Sequence, residues 1–187
     1  MMSKYIEIEM QPTACRVGGS FSAEAEFCLD NFKSPFYDID VKIDTGCSIS
    51  TIPLKRLNVS DTMCKILKKT DIKNQIPYYL SYGVESGGMK HNLPVTMNEK
   101  ENCPAMKFEH KISNFMIGGL RIPCEKIFLN YDRRGNILIG MDILSKFEIH
   151  MGISKITGKN LFIACLAENK SYEYFEALSK HFEISKY

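Results

Sequence analysis

The stretch Ile39-Asp40-Val41-Lys42-Ile43-Asp44-Thr45-Gly46 decides how the rest of this chain is interpreted. Apolar and polar residues alternate up to Ile43, which is the pattern of a strand with one buried face. Asp44 then stands at the tip of that strand, and the glycine two residues later favours a turn. The pattern therefore predicts an aspartate presented on a loop at the end of a half-buried strand.

A second element further along the chain gives this tripeptide its weight. Asp-Thr-Gly or Asp-Ser-Gly occurs by chance in roughly one chain in ten of this length, so the tripeptide alone is weak evidence. Here Ile137-Leu138-Ile139-Gly140 supplies an aliphatic run that ends in glycine, and Met141-Asp142-Ile143-Leu144 follows it. Phe115 to Ile122 precedes this element with the pattern of strand, turn and strand.

Together these segments resemble the retropepsins, the family of retroviral aspartic proteases and their cellular and bacterial relatives. The resemblance covers roughly Ala25 to Leu166, and the Gly-Met-Asp-x-Leu ending of the second element is closer to the cellular branch. It implies a mainly β fold, a retropepsin-like closed β-barrel (the acid protease fold), with a short inserted helix and a C-terminal helix. Three parts are then expected: an N-terminal strand or arm at 1–24, a retropepsin-like aspartic protease domain at 25–166 and a C-terminal amphipathic helix at 167–187.

Two segments have the spacing of amphipathic helices. A cap at Ser60 or Asp61 predicts that the inserted helix starts there and extends to Lys69. The last helix is predicted over Ser171 to Ile184, where it is expected to pack on its own domain. Its apolar face is predicted to consist of Phe175, Leu178 and Phe182.

The remaining patterns predict strands and one short helix. The strands are predicted at Tyr5–Met10, Glu24–Leu29, Pro77–Val84, Lys107–Ile117, Leu120–Tyr131, Asn136–Ile139 and on both sides of Thr157-Gly158-Lys159-Asn160, and the helix at Asp142–Phe147.

The resemblance assigns peptide-bond hydrolysis to Asp44. This chemistry needs two carboxyl groups that share a proton, one to take a proton from water and one to polarise the scissile carbonyl. The chain has one Asp-Thr-Gly and no internal repeat, so the second aspartate is expected from another copy in a homodimer. The expected substrate is a peptide or protein, and neither a cofactor nor a metal is expected.

The neighbours of Asp44 receive their roles from the same resemblance. Thr45 is expected to hydrogen-bond across the dimer. Gly46 is expected to bring its amide to the carboxylate at a place where a Cβ would clash. Gly140 is expected to let the second element pack under the loop.

Several questions stay open at this point. The family commonly has Ala or Ser where this chain has Cys47, so the outer carboxylate oxygen is supported by Cys47, by Ser48 or by neither. The flap, a hairpin that covers the cleft in this family, is expected within Gly83 to Met106. Its candidate tip residues are Gly83, Gly87 and Gly88, with the region from Met97 to Cys103 as the other location.

A second function, from a different class, is a catalytically silent peptide-binding or dimerisation module with the same fold. The intact Asp-Thr-Gly favours the protease, whereas Cys47 and the additional helices favour a specialised protein.

The composition limits the partners and the compartment. A net charge of +2, with acids and bases interspersed, gives no field that favours nucleic acid or a membrane surface. No apolar run approaches the ~18 residues of a membrane span, and no leader pattern begins the chain. Seven cysteines without a Cys-x-x-Cys pair predict neither a disulfide framework nor a zinc site. A cytoplasmic protein is therefore expected.

Two other groups of residues are interpreted as structural. The basic run of Lys65, Lys68 and Lys69 is interpreted as the solvated face of a helix. The histidines lack the spacing of a metal site and are interpreted as structural or surface residues; they are His91, His110, His150 and His181.

Overall fold

A computed structural model describes residues 3–12, 19–79, 98, 102 and 106–183 of the chain. The fold is mainly β, with 43% strand and 23% helix, and it contains a closed six-stranded β-barrel with few helices. This confirms the predicted class, a mainly β barrel with short helices. Contacts between residues divide the chain into two compact units.

Most of the strands in the described part of the chain are short, and two of them reach 11 and 12 residues. They are β1 Ile6–Glu9, β2 Gln11–Pro12, β3 Gly19–Leu29, β4 Phe36–Ile43, β5 Thr51–Pro53, β6 Tyr78–Tyr79, β7 Met106–Ile117, β8 Leu120–Arg121, β9 Lys126–Asn130, β10 Ile137–Ile139, β11 Phe147–Ile153 and β12 Asn160–Leu166.

The helices whose bounds the structure gives are three α-helices and one 3-10 helix. They are α1 Asp61–Asn74, α2 Met141–Leu144, α3 Tyr172–His181 and the 3-10 helix Leu54–Leu57. No helix in the described ranges is long and apolar enough to span a membrane.

Unit 1 contains the described residues of Met1–Ser50, Ile112–Glu125 and Leu138–Tyr187. One antiparallel sheet has the strand order β1-β12-β11. In a second group, β3 pairs antiparallel with β4 and with the C-terminal half of β7. Strand β3 is continuous across residues 24 and 25, where the sequence predicts a boundary between arm and domain. Apolar side chains of these strands and of β10 form the core: Ala25, Phe27, Leu29, Val41, Ile43, Phe115, Ile117, Ile139 and Phe162.

Helix α3 packs on its own unit, as predicted, and Leu178 and Phe182 of the predicted face pack into the buried cluster. Its buried apolar residues are Tyr174, Ala177 and Leu178, which form one cluster with side chains of β12. Phe175, predicted to lie on the buried face, is 46% exposed, so that part of the prediction is wrong. The Tyr174 ring takes the inner position because its hydroxyl reaches the Glu148 carbonyl oxygen at 3.5 Å.

Unit 2 contains the described residues of Thr51–Lys111 and Lys126–Ile137. Strand β5 runs parallel to β9, and β9 pairs antiparallel with the N-terminal half of β7. Helix α1 is capped by Ser60, whose Oγ accepts a hydrogen bond from the Met63 amide at 3.2 Å. The helix is longer than predicted and ends at Asn74.

Lys68 contradicts the interpretation of the basic run as a solvated face. Its side chain is buried, with 4% of the residue exposed, and its Nζ lies 2.8 Å from Oδ2 of Asp132. Lys65 and Lys69 are exposed. The cause is helical periodicity, because Lys68 follows the buried Cys64 by four residues and so lies in the inward stripe of α1.

Three predicted elements have different bounds in the structure. The predicted strand Leu120–Tyr131 is two strands, β8 and β9, because Pro123 has no amide hydrogen for a ladder. The predicted helix Asp142–Phe147 already ends at Leu144, and Phe147 begins β11. Of the predicted strand Pro77–Val84, the structure shows β6, and its residues from 80 onward lie outside the described residues.

Candidate active site

Strand β4 delivers Asp44 as the sequence pattern predicts. Val41 and Ile43 of β4 are buried in the core of unit 1. Asp40, which precedes Val41 on the same strand, is exposed. The Asp44 amide donates a hydrogen bond to the Ile139 carbonyl oxygen at 3.0 Å. The backbone of the aspartate is therefore tied to the end of β10, while its side chain stays partly exposed.

The Asp44 loop is a tight turn. The Cys47 amide donates to the Asp44 carbonyl oxygen at 3.1 Å, which closes the turn. The Gly46 amide donates to Oδ1 of Asp44, also at 3.1 Å. A backbone amide therefore orients one carboxylate oxygen.

The reason expected for glycine at position 46 does not hold as stated. A Cβ added to Gly46 would lie 3.4 Å from Oδ1 of Asp44, and that oxygen is the nearest atom. This is a tight contact with the end of a side chain rather than a clash with the backbone. Gly46 is exposed, and its contribution to the site is the amide.

The thiol of Cys47 points away from the carboxylate. Its Sγ donates to the Ile49 carbonyl oxygen at 3.0 Å. Ser48 is exposed, and its carbonyl oxygen accepts from the Asp142 amide at 3.2 Å. Of the alternatives that the sequence leaves open, the described hydrogen bonds favour support of Asp44 by neither of these two side chains.

The second sequence element packs directly against the loop. The Met141 amide donates to the Cys47 carbonyl oxygen at 2.8 Å. A Cβ added to Gly140 would lie 2.7 Å from that same oxygen and 2.8 Å from the Ile49 carbonyl carbon. Only glycine permits this approach, because the atoms in the way belong to the backbone.

A polar network that sequence reasoning missed locks the two segments together. Oδ1 of Asp142 accepts from the Ser50 amide at 2.8 Å, from the Ser50 hydroxyl at 2.6 Å and from the Ile143 amide at 3.0 Å. The same Ser50 hydroxyl accepts from the Gly140 amide at 2.8 Å. Ser50 is fully buried. The available signal for this network was Asp142, two residues after Gly140. Nothing in the sequence identified Ser50 as its partner.

Other predicted site residues are placed only in part. Thr45 is exposed at the outer end of the turn, and its role across a dimer stays a prediction. The flap candidates Gly83, Gly87 and Gly88 lie outside the described residues.

The described histidines have structural contacts or lie at the surface. His110 is buried, with Nε2 at 2.9 Å from Oδ2 of Asp71. His181 is buried, with Nδ1 at 2.9 Å from the Ser154 hydroxyl. His150 is exposed, and His91 lies outside the described residues. Within the described ranges, no three His, Cys, Asp or Glu side chains are grouped as a metal site requires.

No protein-family model, no curated protein and no solved structure matches this chain.

Proposed function

We propose that this chain is an aspartic endopeptidase whose active site is completed by a second copy of itself. The observation that carries the proposal is the Asp44 loop. The partly exposed carboxylate of Asp44 accepts a hydrogen bond from the Gly46 amide at 3.1 Å. The carbonyl oxygen of Cys47, in the same turn, accepts one from the Met141 amide.

The chemistry follows from one carboxylate per chain. Around a two-fold axis, two copies would place both Asp44 side chains at one site. Two carboxyl groups near enough to share a proton cannot both be ionised. The pair therefore retains one proton and titrates in two steps. The ionised group takes a proton from a bound water, and the protonated group polarises the scissile carbonyl. The water attacks directly, without a covalent enzyme intermediate.

The rigidity of the loop supports this assignment. Catalytic carboxylates must be held within about 0.5 Å of a productive position by groups that are themselves fixed. Three hydrogen bonds of 2.6–2.8 Å through Ser50 connect the loop to Gly140 and to the Asp142 carboxylate. This arrangement restrains the backbone on which Asp44 is carried.

The proposal also includes a cytoplasmic location. Its support is the state of the cysteines, because four in the described part of the chain, Cys28, Cys47, Cys64 and Cys165, are free thiols. Free thiols are typical of reducing compartments. The proposed partners are a second copy of the chain and a peptide or protein substrate.

A subunit-mixing experiment tests the two-chain site. Wild type and Asp44→Asn are mixed at a fixed total concentration and re-equilibrated, and cleavage of a peptide library is followed by mass spectrometry. With equal amounts of the two chains, random pairing leaves about one quarter of the dimers with two aspartates, so activity should fall to that fraction. An active site within one chain predicts one half instead, which would overturn the proposal.

Dilution gives an independent check. Specific activity should fall once the protein is diluted below its dimer dissociation constant, and analytical ultracentrifugation should show monomer at the same concentrations. Constant specific activity in a monomeric sample contradicts the shared site. A stable dimer that cleaves no peptide in the library favours the silent peptide-binding or dimerisation module.

A further inference from the structure

The sheet formed by β3, β7 and β8 in unit 1 carries a row of three side chains on its outer face. Glu26 of β3 pairs with Met116 of β7, and Met116 pairs with Arg121 of β8. Residues directly opposite each other on antiparallel strands project from the same face of a sheet. In the neighbouring row, Ala25 pairs with Ile117 and both are buried. The row from Glu26 to Arg121 therefore points outward.

This outward row borders a cavity of about 330 Å³, which is at the small end of the range of small-molecule pockets. Tyr37 lines the cavity near the start of β4, and Asp44 follows the end of the same strand. A strand rises ~3.3 Å per residue, so the two residues are about 20 Å apart. The cavity is therefore separate from the Asp44 loop. The other described residues of its lining are Phe27, Cys28, Pro35 and Asn114.

The strands are irregular where they border this cavity. The register of β3 shifts against β4 between Ala25 and Phe27, and against β7 between Glu26 and Cys28. Asn114 of β7 has a φ of +51°, a left-handed conformation that is uncommon outside glycine. Bulges in strands are frequent beside functional sites, where they change the direction of a side chain. Backbone strain of this kind is concentrated at such sites as well.

Two charged side chains of the row are placed to contact a ligand. Within the described part of the chain, neither the Glu26 carboxylate nor the Arg121 guanidinium forms an ion pair or a side-chain hydrogen bond. Arg121 is exposed, and Glu26 is partly exposed. Neighbouring strands are ~4.8 Å apart, so the Cα atoms of these two residues, two strands apart, are separated by about 10 Å. An acid and a base thus flank the apolar side chain of Met116.

We propose that this cavity binds a short peptide with free ends, about three residues long and apolar at its centre. An extended chain spans about 3.3–3.6 Å per residue, so three residues cover the distance between the two charged positions. Arg121 binds the C-terminal carboxylate, which its planar guanidinium can hold through two parallel hydrogen bonds. Glu26 accepts hydrogen bonds from the N-terminal ammonium. The central side chain of the peptide packs on Met116 and Tyr37.

Calorimetric titration of the wild-type protein tests the class of ligand. The probe is the tripeptide Ala-Leu-Ala with both ends free. The comparison peptides have the same sequence, and one is acetylated at its N-terminus while the other is amidated at its C-terminus. The free peptide should bind. Each blocked peptide should bind about tenfold more weakly, because a hydrogen bond between charged groups is lost.

Two single variants assign the ends of the peptide to their binding residues. Arg121→Gln should bind the free and the amidated peptide equally, and Glu26→Gln should bind the free and the acetylated peptide equally. The matched controls are Lys126→Gln and Glu109→Gln, which remove exposed charges that pair with each other elsewhere. Each control should change the affinity for Ala-Leu-Ala less than twofold. Thermal unfolding of all four variants checks that the fold is unchanged, as expected at these surface positions.

The thiol of Cys28 locates the bound peptide without any substitution. Cys28 is partly exposed and lines the cavity, whereas Cys47 is partly exposed in the Asp44 loop. Saturating Ala-Leu-Ala should slow the alkylation of Cys28 by iodoacetamide several-fold and leave the alkylation rate of Cys47 unchanged. Mass spectrometry of proteolytic fragments measures the two rates separately.

Four results would overturn the proposal. They are no binding of Ala-Leu-Ala at millimolar concentration, equal binding of the free and both blocked peptides, equal weakening by the control variants, and protection of Cys47 rather than Cys28. The last result would place the peptide at the Asp44 loop. None of the four depends on peptide cleavage, which is tested separately at Asp44.

Discussion

Asp44 and Asp142 lie in the same unit, Asp44 directly after β4 and Asp142 in α2 close after β10, and their surroundings are opposite. Oδ1 of Asp142 accepts three hydrogen bonds, from the Ser50 amide, the Ser50 hydroxyl and the Ile143 amide. Oδ1 of Asp44 accepts one, from the Gly46 amide. A carboxylate that holds a loop together is surrounded by donors, whereas one intended for chemistry needs only enough donors to fix its direction. The difference is the one expected between a positioning residue, Asp142, and the proposed catalytic residue, Asp44.

Replacing Asp44 by asparagine should have a larger effect than the other substitutions. The same replacement at Asp142 should have an effect of a different kind, on stability rather than on cleavage. Asp44→Asn should reduce peptide cleavage by about 10²–10⁴-fold, the contribution of a general acid-base group, and should leave the free energy of unfolding unchanged within about 0.5 kcal/mol. Asp142→Asn should retain cleavage per folded molecule. It should lower stability by about 1 kcal/mol, because hydrogen bonds to a charged acceptor become bonds to a neutral one. Cleavage assays and urea unfolding measure both. Equal loss of cleavage in the two variants would contradict the proposed difference between Asp44 and Asp142.

Gly140→Ala should show how close the two segments are. The new methyl group would meet backbone atoms of Cys47 and Ile49 at 2.7–2.9 Å, and overpacking of this kind costs about 1–3 kcal/mol. Thermal and urea unfolding measure the loss. The matched control is Gly135→Ala, where no atom lies within 4 Å of the added Cβ. A Gly140→Ala protein as stable as the control would contradict the close approach.

Ser50→Ala tests how much the Ser50 hydroxyl contributes to stability apart from the rest of the Asp142 network. The variant leaves the buried Gly140 amide without its acceptor, which costs about 1–3 kcal/mol, while the Ser50 backbone amide still donates to Asp142. Ser48→Ala, at an exposed position two residues earlier, should stay within about 0.5 kcal/mol of wild type. Urea unfolding of both proteins decides the point, and identical midpoints would exclude a role for the hydroxyl.

Cys47→Ala should have the smallest effect. The thiol bonds to the Ile49 carbonyl oxygen rather than to Asp44, so cleavage should remain within a few-fold of wild type. Its sensitivity to mild peroxide should also be the same as that of wild type. A variant that resists peroxide when wild type does not would show that Cys47 controls the site through oxidation.

The local parts of the site could be predicted because their signals are local. The alternation that ends at Ile43 predicts the strand and the position of Asp44, and both are found. The close approach of Gly140 was expected from the resemblance, and its backbone contacts are now defined. The catalytic role of Asp44 and the dimer stay predictions.

The parts that were missed depend on distant partners or on the choice between helix faces. Ser50 and Asp142 are 92 residues apart, and nothing in either segment identifies the other. On α3, the apolar pattern fits a face through Phe175 as well as one through Tyr174. The tertiary structure buries Tyr174, because its ring joins the cluster under β12 and its hydroxyl reaches Glu148.

The sequence by itself determined that the fold is mainly β, that one Asp-Thr-Gly stands at the end of a strand, and that a glycine-terminated strand follows far along the chain. These features depend on periodicities of two and 3.6 residues and on the conformations that glycine permits. Only the tertiary structure decided which polar side chains lie inside, among them Ser50 and Lys68. A polar group is buried at acceptable cost only where a distant segment supplies its partner, and that pairing is a property of the folded chain.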